Sequence, residues 1–215
     1  MPAQDKIAIE TVVVDDGSSD RTQDVARAGG ARVLHLCRNL GIGGAVQAGL
    51  QLAHREAYDA AVQIDGDGQH PPSELHHLLA MSADLVVGTR YRDQAGFQST
   101  FLRRLGSAWL RGLLRVVTRM KLSDPTSGFR LYGPRALRLF ADTYPYDFPE
   151  PEAIAMARAA GLSVAEVPVT MRERQGGSSS ISGYKSIYYM LKVTAAVVLA
   201  YLRTRRRRGG NDAGD

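Results

Sequence analysis

Short apolar runs alternate with amphipathic stretches along most of the chain, and the runs stop on polar loops. "IETVVV", residues 9–14, is a β-branched run closing on the carboxylate loop "DDGSSD", which predicts a buried strand. "SDRTQDVARAGG" predicts a short helix with a Ser or Asp cap and a glycine stop. "ARVLHLC" predicts a second strand, and "GIGGAVQAGLQLAHREA" a helix entered through glycines. "DAAVQID" predicts a third strand, "PSELHHLLAMS" a helix with Pro72 near its start, and "ADLVVGTRY" a fourth strand. Strand and helix alternating at this pace predict an α/β domain with a mostly parallel sheet.

From Phe97 to Met120 the period changes. Leu102, Leu105, Trp109, Leu113, Val116 and Met120 recur at helical spacing, while Arg104, Arg111, Arg115 and Arg119 line another face. A basic amphipathic helix fits a membrane surface, and equally a core helix with a solvated face. Near the end, "SIYYMLKVTAAVVLAYLRTRRRR" carries an apolar run from Ile187 to Leu202 that includes Lys192. That run is short of the roughly 20 residues needed to span a bilayer. A helix lying in the interface, pinned by its arginines, is the expectation for residues 184–208, with 209–215 disordered and 1–183 forming the main domain.

Composition adds little to this. With 215 residues, 44% hydrophobic and 23% charged, the chain suits one folded domain. The net charge of +5 owes much to the arginine tail, so the body gives no reason to expect nucleic acid. A lone cysteine, Cys37, excludes an internal disulfide framework and is expected to be a small buried apolar residue. "MPAQDKIAIE" has no signal-peptide pattern, which leaves the cytoplasm as the expected compartment.

Candidate chemistry gathers where strands end, the side on which open α/β sheets bind ligands. "DDGSSD", "DGDGQ" and "GTRY" stand at such ends, so Asp15, Asp16, Asp65 and Asp67 are expected near Arg90. If the extended form persists, Asp65 and Asp67 point the same way. With the Gln69 amide they offer hard oxygen ligands suited to Mg2+ or Mn2+ carrying a diphosphate. Other readings fail: a calcium loop counted from Asp65 would need glycine and glutamate where His70 and His76 stand. Val46 occupies the third position of a dinucleotide glycine fingerprint begun by Gly41 and Gly43.

"VVVDDGSSDRT", "NLGIGGAVQAGL", "QIDGDGQHPP", "VVGTRY", "DPTSGFRLY" and "VPVTMRERQGGSSSIS", in this order, resemble the family-2 glycosyltransferases. The nearest branch resembles dolichyl-phosphate mannose synthase and the bacterial polyprenyl-phosphate sugar transferases. The resemblance implies a GT-A fold, a nucleoside-diphosphate sugar donor and an inverting transfer to a polyprenyl phosphate, by an enzyme peripheral on the inner face of the cell membrane. It implies that Asp15 or Asp16, with Gly43, serves the nucleotide, and that Asp65, Asp67 and Gln69 hold metal and diphosphate. Arg90 and Arg130 are implied at the acceptor phosphate. Arg174, Gly177 and Ser179 match an "RxxGxS" motif closing over the phosphates; Ser180 stands where the branch often has lysine, for which Arg172 or Lys185 would compensate.

One departure is large. The family has a strand ending in a "PxYNE" type motif, then a helix, before its "VVDDGS" segment, whereas here that loop begins at Asp15. The fold is therefore expected to lack its first strand and helix. Two other functions stay open on the sequence: a non-catalytic nucleotide-sugar or membrane-binding remnant, and transfer to a hydroxyl acceptor with Glu150 or Glu152 as base.

Overall fold

The computed structural model describes residues 7–90, 101–172 and 186–211, with backbone alone for 101–105, 186, 187, 189, 210 and 211. The elements follow the apolar pattern closely. They are β1 (Val12–Asp15), α1 (Thr22–Ala28), β2 (Arg32–His35), α2 (Gly41–Arg55), β3 (Ala61–Gln63), a 3-10 turn (Pro72–Glu74), α3 (Leu75–Leu79) and β4 (Leu85–Arg90). Then come α4 (Phe101–Thr118), β5 (Arg130–Tyr132), α5 (Pro134–Asp142), α6 (Pro149–Ala159), β6 (Val164–Val169) and α7 (Ser186–Asn211).

β1 pairs with β2 in parallel, and the other strands form a sheet ordered β3-β5-β4-β6. β4 and β6 are parallel, whereas β5 runs antiparallel to both β3 and β4. The parallel character expected from the alternation thus holds for two pairs, and the strand inside "SGFRLY" makes the sheet mixed. The register puts Arg130 beside Val87 and Tyr132 beside Leu85, so β5 runs back along β4 although α4 lies between them in sequence.

β4 is the centre of the core. Leu85 and Val87 face one cluster with Leu50 and Ala53 of α2, Leu114 of α4, Tyr132, Leu137 and Phe140. Val86 faces the other cluster, with Leu78 of α3, Phe129 and Val167. Alternating side chains of a strand covered on both faces produce that division, and each such apolar side chain contributes about 1.5–3 kcal/mol when fully buried. Burial persists through Thr89, and Arg90 emerges exposed at the strand end. The last helix is part of this packing: Val193 and Val197 of α7 lie in the large cluster, against α6 and α4. Arg207 donates to Thr143 Oγ1 (3.2 Å), and the Arg208 guanidinium packs on Gly161.

The sheet is split in one place. Among the described residues β1 pairs only with β2 and β3 only with β5, so each has an open edge. Arg32 N donates to Thr11 O and Leu36 N to Asp15 O, which turns the backbone groups of Val12 and Val14 away from β2. Both edges lie on α2: Gly49 faces Val14, and Ala61 packs with the cluster holding Leu50 and Ala53. Tyr58, just before β3, donates its hydroxyl to the Glu10 carboxylate before β1. The split falls between the strands that carry the two acidic loops.

Candidate active site

The first acidic loop is locally saturated. Asp15 ends β1 with its side chain fully enclosed, accepting from Ser18 N (3.1 Å) and Gln23 Nε2 (2.7 Å), with His35 Nδ1 at 2.9 Å. The Ser18 and His35 contacts hold its carboxyl down at about 2, below the ordinary 3.8. Asp16 turns the other way: its two oxygens accept from Leu40 N (2.6 Å) and Gly41 N (2.8 Å). It therefore covers free N–H groups at the start of α2, where a negative charge also meets the helix dipole. Gly43 is buried in α2 because Pro145 O would lie 2.6 Å from any Cβ there, so its absence of side chain lets the helix touch the 145–146 backbone.

The second acidic loop begins one residue pair earlier than the strand pattern implies. β3 ends at Gln63, and after Ile64 and Asp65 the chain turns at Gly66–Gly68, with Gly68 at φ +75°. A left-handed φ there favours glycine. Asp65, Asp67 and Gln69 are half-buried while Ile64, Gly66 and Gly68 are exposed, so the alternation survives into the turn. Gln63 Nε2 reaches Asp65 Oδ1 at 3.4 Å, Gln69 N donates to Asp67 Oδ1 (3.0 Å), and Arg172 N donates to Gln69 O (2.9 Å). Gly128 abuts Asp65 so closely that an added Cβ would sit 2.3 Å from Oδ2.

A buried histidine joins the parts. His70 accepts from Asp65 N at Nδ1 (3.2 Å) and stacks on Phe129, centroids 5.1 Å apart. Burial pushes its pKa down, opposed by Asp65 and Asp67, while Arg90 pushes it down further and Asp124 up. The same imidazole therefore feels both acidic residues, Arg90 and Asp124. Arg90 is 46% exposed and its Nε lies 3.7 Å from Asp124 Oδ2.

Arg130, next to the Phe129 on which His70 stacks, is wholly buried. Its Nε donates to Ser127 O (2.8 Å) and Nη2 to Pro125 O (3.2 Å), while Nη1 is buried with no hydrogen-bond partner among the described residues. Glu150 stands close enough that Arg130 lowers and Asp65 raises its pKa, with burial raising it most. Glu152 is spent elsewhere, accepting from Phe148 N (2.8 Å) at the start of α6. Of the residues read from the sequence, then, Asp65, Asp67, Arg90 and Arg130 share one neighbourhood. Asp15 and Asp16 are bonded instead to α1, β2 and the start of α2. Arg174, Gly177, Ser179, Ser180 and Lys185 lie outside the described residues. Cys37 is exposed rather than buried, because β2 ends at His35 and the chain has left the sheet.

Sequence reasoning missed His70 and Asp124 as site residues. His70 sits one residue past Gln69, where a turn returning on Asp65 N puts an acceptor, and Asp124 opens the "DPTSGF" loop that packs on Asp65. Only the tertiary contact gives either residue its neighbours.

No cage of three or more His, Cys, Asp or Glu side chains forms among the described residues. Two carboxylates and an amide still suit Mg2+ or Mn2+, ions that take one or two carboxylates and leave positions for phosphate oxygens. Gly128, without a side chain, leaves room for the Asp65 carboxylate beside Asp67 and Gln69, and the residues present fit such an ion.

The sequence matches the profile of Glycosyl transferase family 2 over residues 3–140. The chain belongs to that family. This family-2 glycosyltransferase is 34% identical to an undecaprenyl-phosphate mannosyltransferase of Micrococcus luteus, covering 81% of this chain and 76% of that one. It is also 34% identical to the polyprenol monophosphomannose synthase of Mycolicibacterium smegmatis, covering 86% and 75%. Among solved structures it resembles glucosyl-3-phosphoglycerate synthase from Mycobacterium tuberculosis, TM-score 0.60 at 21% identity, over 91% of this chain and 68% of the other. The same synthase has been solved with Mn2+, UDP-glucose and phosphoglyceric acid, a complex that aligns equally well, TM-score 0.60 at 20% identity over 90% and 68%. The GT-A fold expected from the motifs is the fold of these neighbours, and the chain is a glycosyltransferase.

Proposed function

We propose that this glycosyltransferase moves a sugar from a nucleoside diphosphate to a polyprenyl phosphate, with inversion at the anomeric carbon and with Mg2+ or Mn2+ bound. The observation that carries the reading is the gathering of charges about His70, where Asp65 and Asp67 meet the half-exposed Arg90 and its partner Asp124, with Arg130 buried against the adjoining loop. Acidic oxygens suit a metal carrying a diphosphate, and a guanidinium suits a phosphate-headed acceptor. The polyprenyl-type acceptors in the names of the two bacterial relatives, and the Mn2+ held by the structural neighbour, support the same assignment.

Asp65, Asp67 and Gln69 would hold the ion, which when bound withdraws charge from the departing diphosphate. Arg90, free enough to reach solvent, orients the acceptor phosphate. Arg130 acts from behind its loop, as a positive charge enclosed where screening is weak. Asp15, enclosed by Ser18, Gln23 and His35, holds the loop at the end of β1 beside which the nucleotide base would lie. Asp16 and Gly43 shape the start of α2 for that nucleotide. Arg172, Arg174 and Ser179 close over the phosphates. Because a phosphate acceptor is already ionised near pH 7, no strong base is required. Transfer to a hydroxyl is the second reading, favoured by Glu150, whose carboxyl is raised by burial within reach of Asp65's field.

Work at the cytoplasmic face of a membrane, through residues 184–208 and α4, completes the proposal. No helix among the described residues is long and apolar enough to cross a membrane. Trp109 and Val116 of α4 are exposed, as are Tyr188, Leu191, Leu199 and Leu202 of α7, and Trp109 Nε1 donates to Thr194 Oγ1 (3.2 Å) between the two helices. Arg203, Arg205 and Arg206 follow on α7 and are exposed, a composition suited to an anionic lipid surface.

The decisive experiment traces labelled sugar from UDP- and GDP-sugars into undecaprenyl phosphate with Mn2+. Asp67→Asn is expected to cut transfer by more than about a hundredfold, since metal stabilisation of the leaving group amounts to several kcal/mol. Undiminished transfer by that variant overturns the metal assignment, and transfer only to a hydroxyl acceptor selects the Glu150 reading.

A further inference from the structure

We infer that Glu166 is a positioning residue for the acceptor side of the site, acting through the loop 123–128. The inference rests on the proposed transfer for its functional meaning, but its geometry stands independently. Glu166 lies in β6, opposite Val87 of β4, and no feature of the motif pattern singles it out. Its two carboxylate oxygens each accept from Ser123 N (2.9 Å), and one also accepts from Ser123 Oγ (3.1 Å) and the other from Asp124 N (3.2 Å). One side chain thus collects every donor at the start of the loop, in the wall of a cleft of about 290 Å³ shared with Arg111 and Lys121.

Beyond Ser123, the loop carries the cationic half of the site. Asp124 Oδ2 pairs with Arg90, and Asp124 Oδ1 accepts from Thr126 Oγ1 (2.9 Å). Pro125 O and Ser127 O receive the Arg130 guanidinium, and Gly128 presses on the Asp65 carboxylate. Both arginines are therefore tied to a segment whose first two residues hang on Glu166. Hydrogen bonds to an ionised acceptor are the stronger kind, so this anchor fixes the loop more firmly than its turn bonds do. Glu166 touches neither arginine, and any effect on them must pass through the loop, by Asp124 to Arg90 and by Pro125 and Ser127 to Arg130.

Glu166→Gln keeps the shape but replaces one acceptor oxygen with an NH2 group facing the Ser123 and Asp124 amides. We expect the Km for undecaprenyl phosphate to rise about tenfold, the loss from one or two charge-assisted bonds, with Mn2+–nucleotide affinity within about twofold. Amide exchange at 123–128 should quicken at least about tenfold while Leu85–Val87 stay protected. Asp124→Asn should raise the same Km, and the double variant should be little worse than either single one, as for residues on one chain of contacts. Unchanged exchange at 123–128, or additive effects in the double variant, overturns the inference. If the wild-type chain moves no sugar to the lipid phosphate, the proposed function fails, while the exchange measurement still decides whether Glu166 anchors the loop.

Discussion

At the residue scale, the two aspartates of "DDGSSD" show how differently adjacent, chemically identical side chains can be used. Asp15 is turned inward to Ser18, Gln23 and His35, whereas Asp16 reaches across to the first N–H groups of α2. The depressed carboxyl of Asp15 makes a prediction about acid. A group whose folded pKa lies below its unfolded value contributes stability above the unfolded value and loses it as pH falls through the folded one. The contribution of Asp15 is therefore complete above about pH 4 and fades between 3.8 and about 2. Thermal melts from pH 6 to 2 should show Asp15→Asn less stable than wild type at pH 6, with the two curves converging toward pH 2. A constant gap across that range would contradict the assigned network. Arg130 belongs to the same scale: a buried guanidinium with one nitrogen unpartnered among the described residues is costly by itself, and the two loop carbonyls it binds offset only part of that cost.

At the element scale, the split between β1 and β3 is the most consequential feature. Among the described residues both strands keep an open edge and pack on α2, and Val12, Val13 and Val14 are only half-buried despite being apolar. Ile7 and Ile9, before β1, are exposed at 63% and 67%. Unpaired edges of this kind recruit other strands. The register sets a residue-specific expectation for amide exchange. Val13 and Asp15 face β2 and should be protected, while Val12 and Val14 face the opening and should exchange at least about tenfold faster. Equal protection at all four amides would mean that another strand occupies the gap. α7 makes the complementary point: a helix that reads as a separate amphipathic segment buries Val193 and Val197 in the main core.

At the scale of the whole molecule, α4 and α7 leave exposed apolar side chains and arginines on the surface. Trp109 is half exposed, Val116 is 80% exposed, and the α7 arginines extend past them. Cosedimentation with vesicles containing phosphatidylglycerol should retain the protein at low salt and release it as salt rises, because Lys and Arg contacts with anionic lipid are screened. Replacing Trp109 and Leu199 together by serine should weaken retention about tenfold or more with a modest fall in Tm, since each side chain is about half exposed and Trp109 also bonds Thr194. Equal binding by neutral and anionic vesicles, or by wild type and the double variant, would place the contact elsewhere.

The order of elements, the acidic turn after β3 and the family were legible in the sequence because they depend on local rules: β-branched runs, glycine at turns and fixed motif spacing. Asp65 and Asp67 could be read as a pair for the same reason, as both lie within one turn. The direction of β5, the burial of Arg130 and the partners of Asp16 and Glu166 were not legible. Each joins residues separated by many positions, such as Ser123 with Glu166 or Asp16 with Gly41, and such pairings exist only once packing has chosen them. Cys37 makes the same point in reverse, since apolar character in a strand-like run did not ensure burial once the strand stopped at His35. Local propensity thus set what the pieces are and where their charges lie. Long-range packing around β4 decided which charges face one another, because hydrogen bonds and burial act between neighbours in space, whatever their distance along the chain.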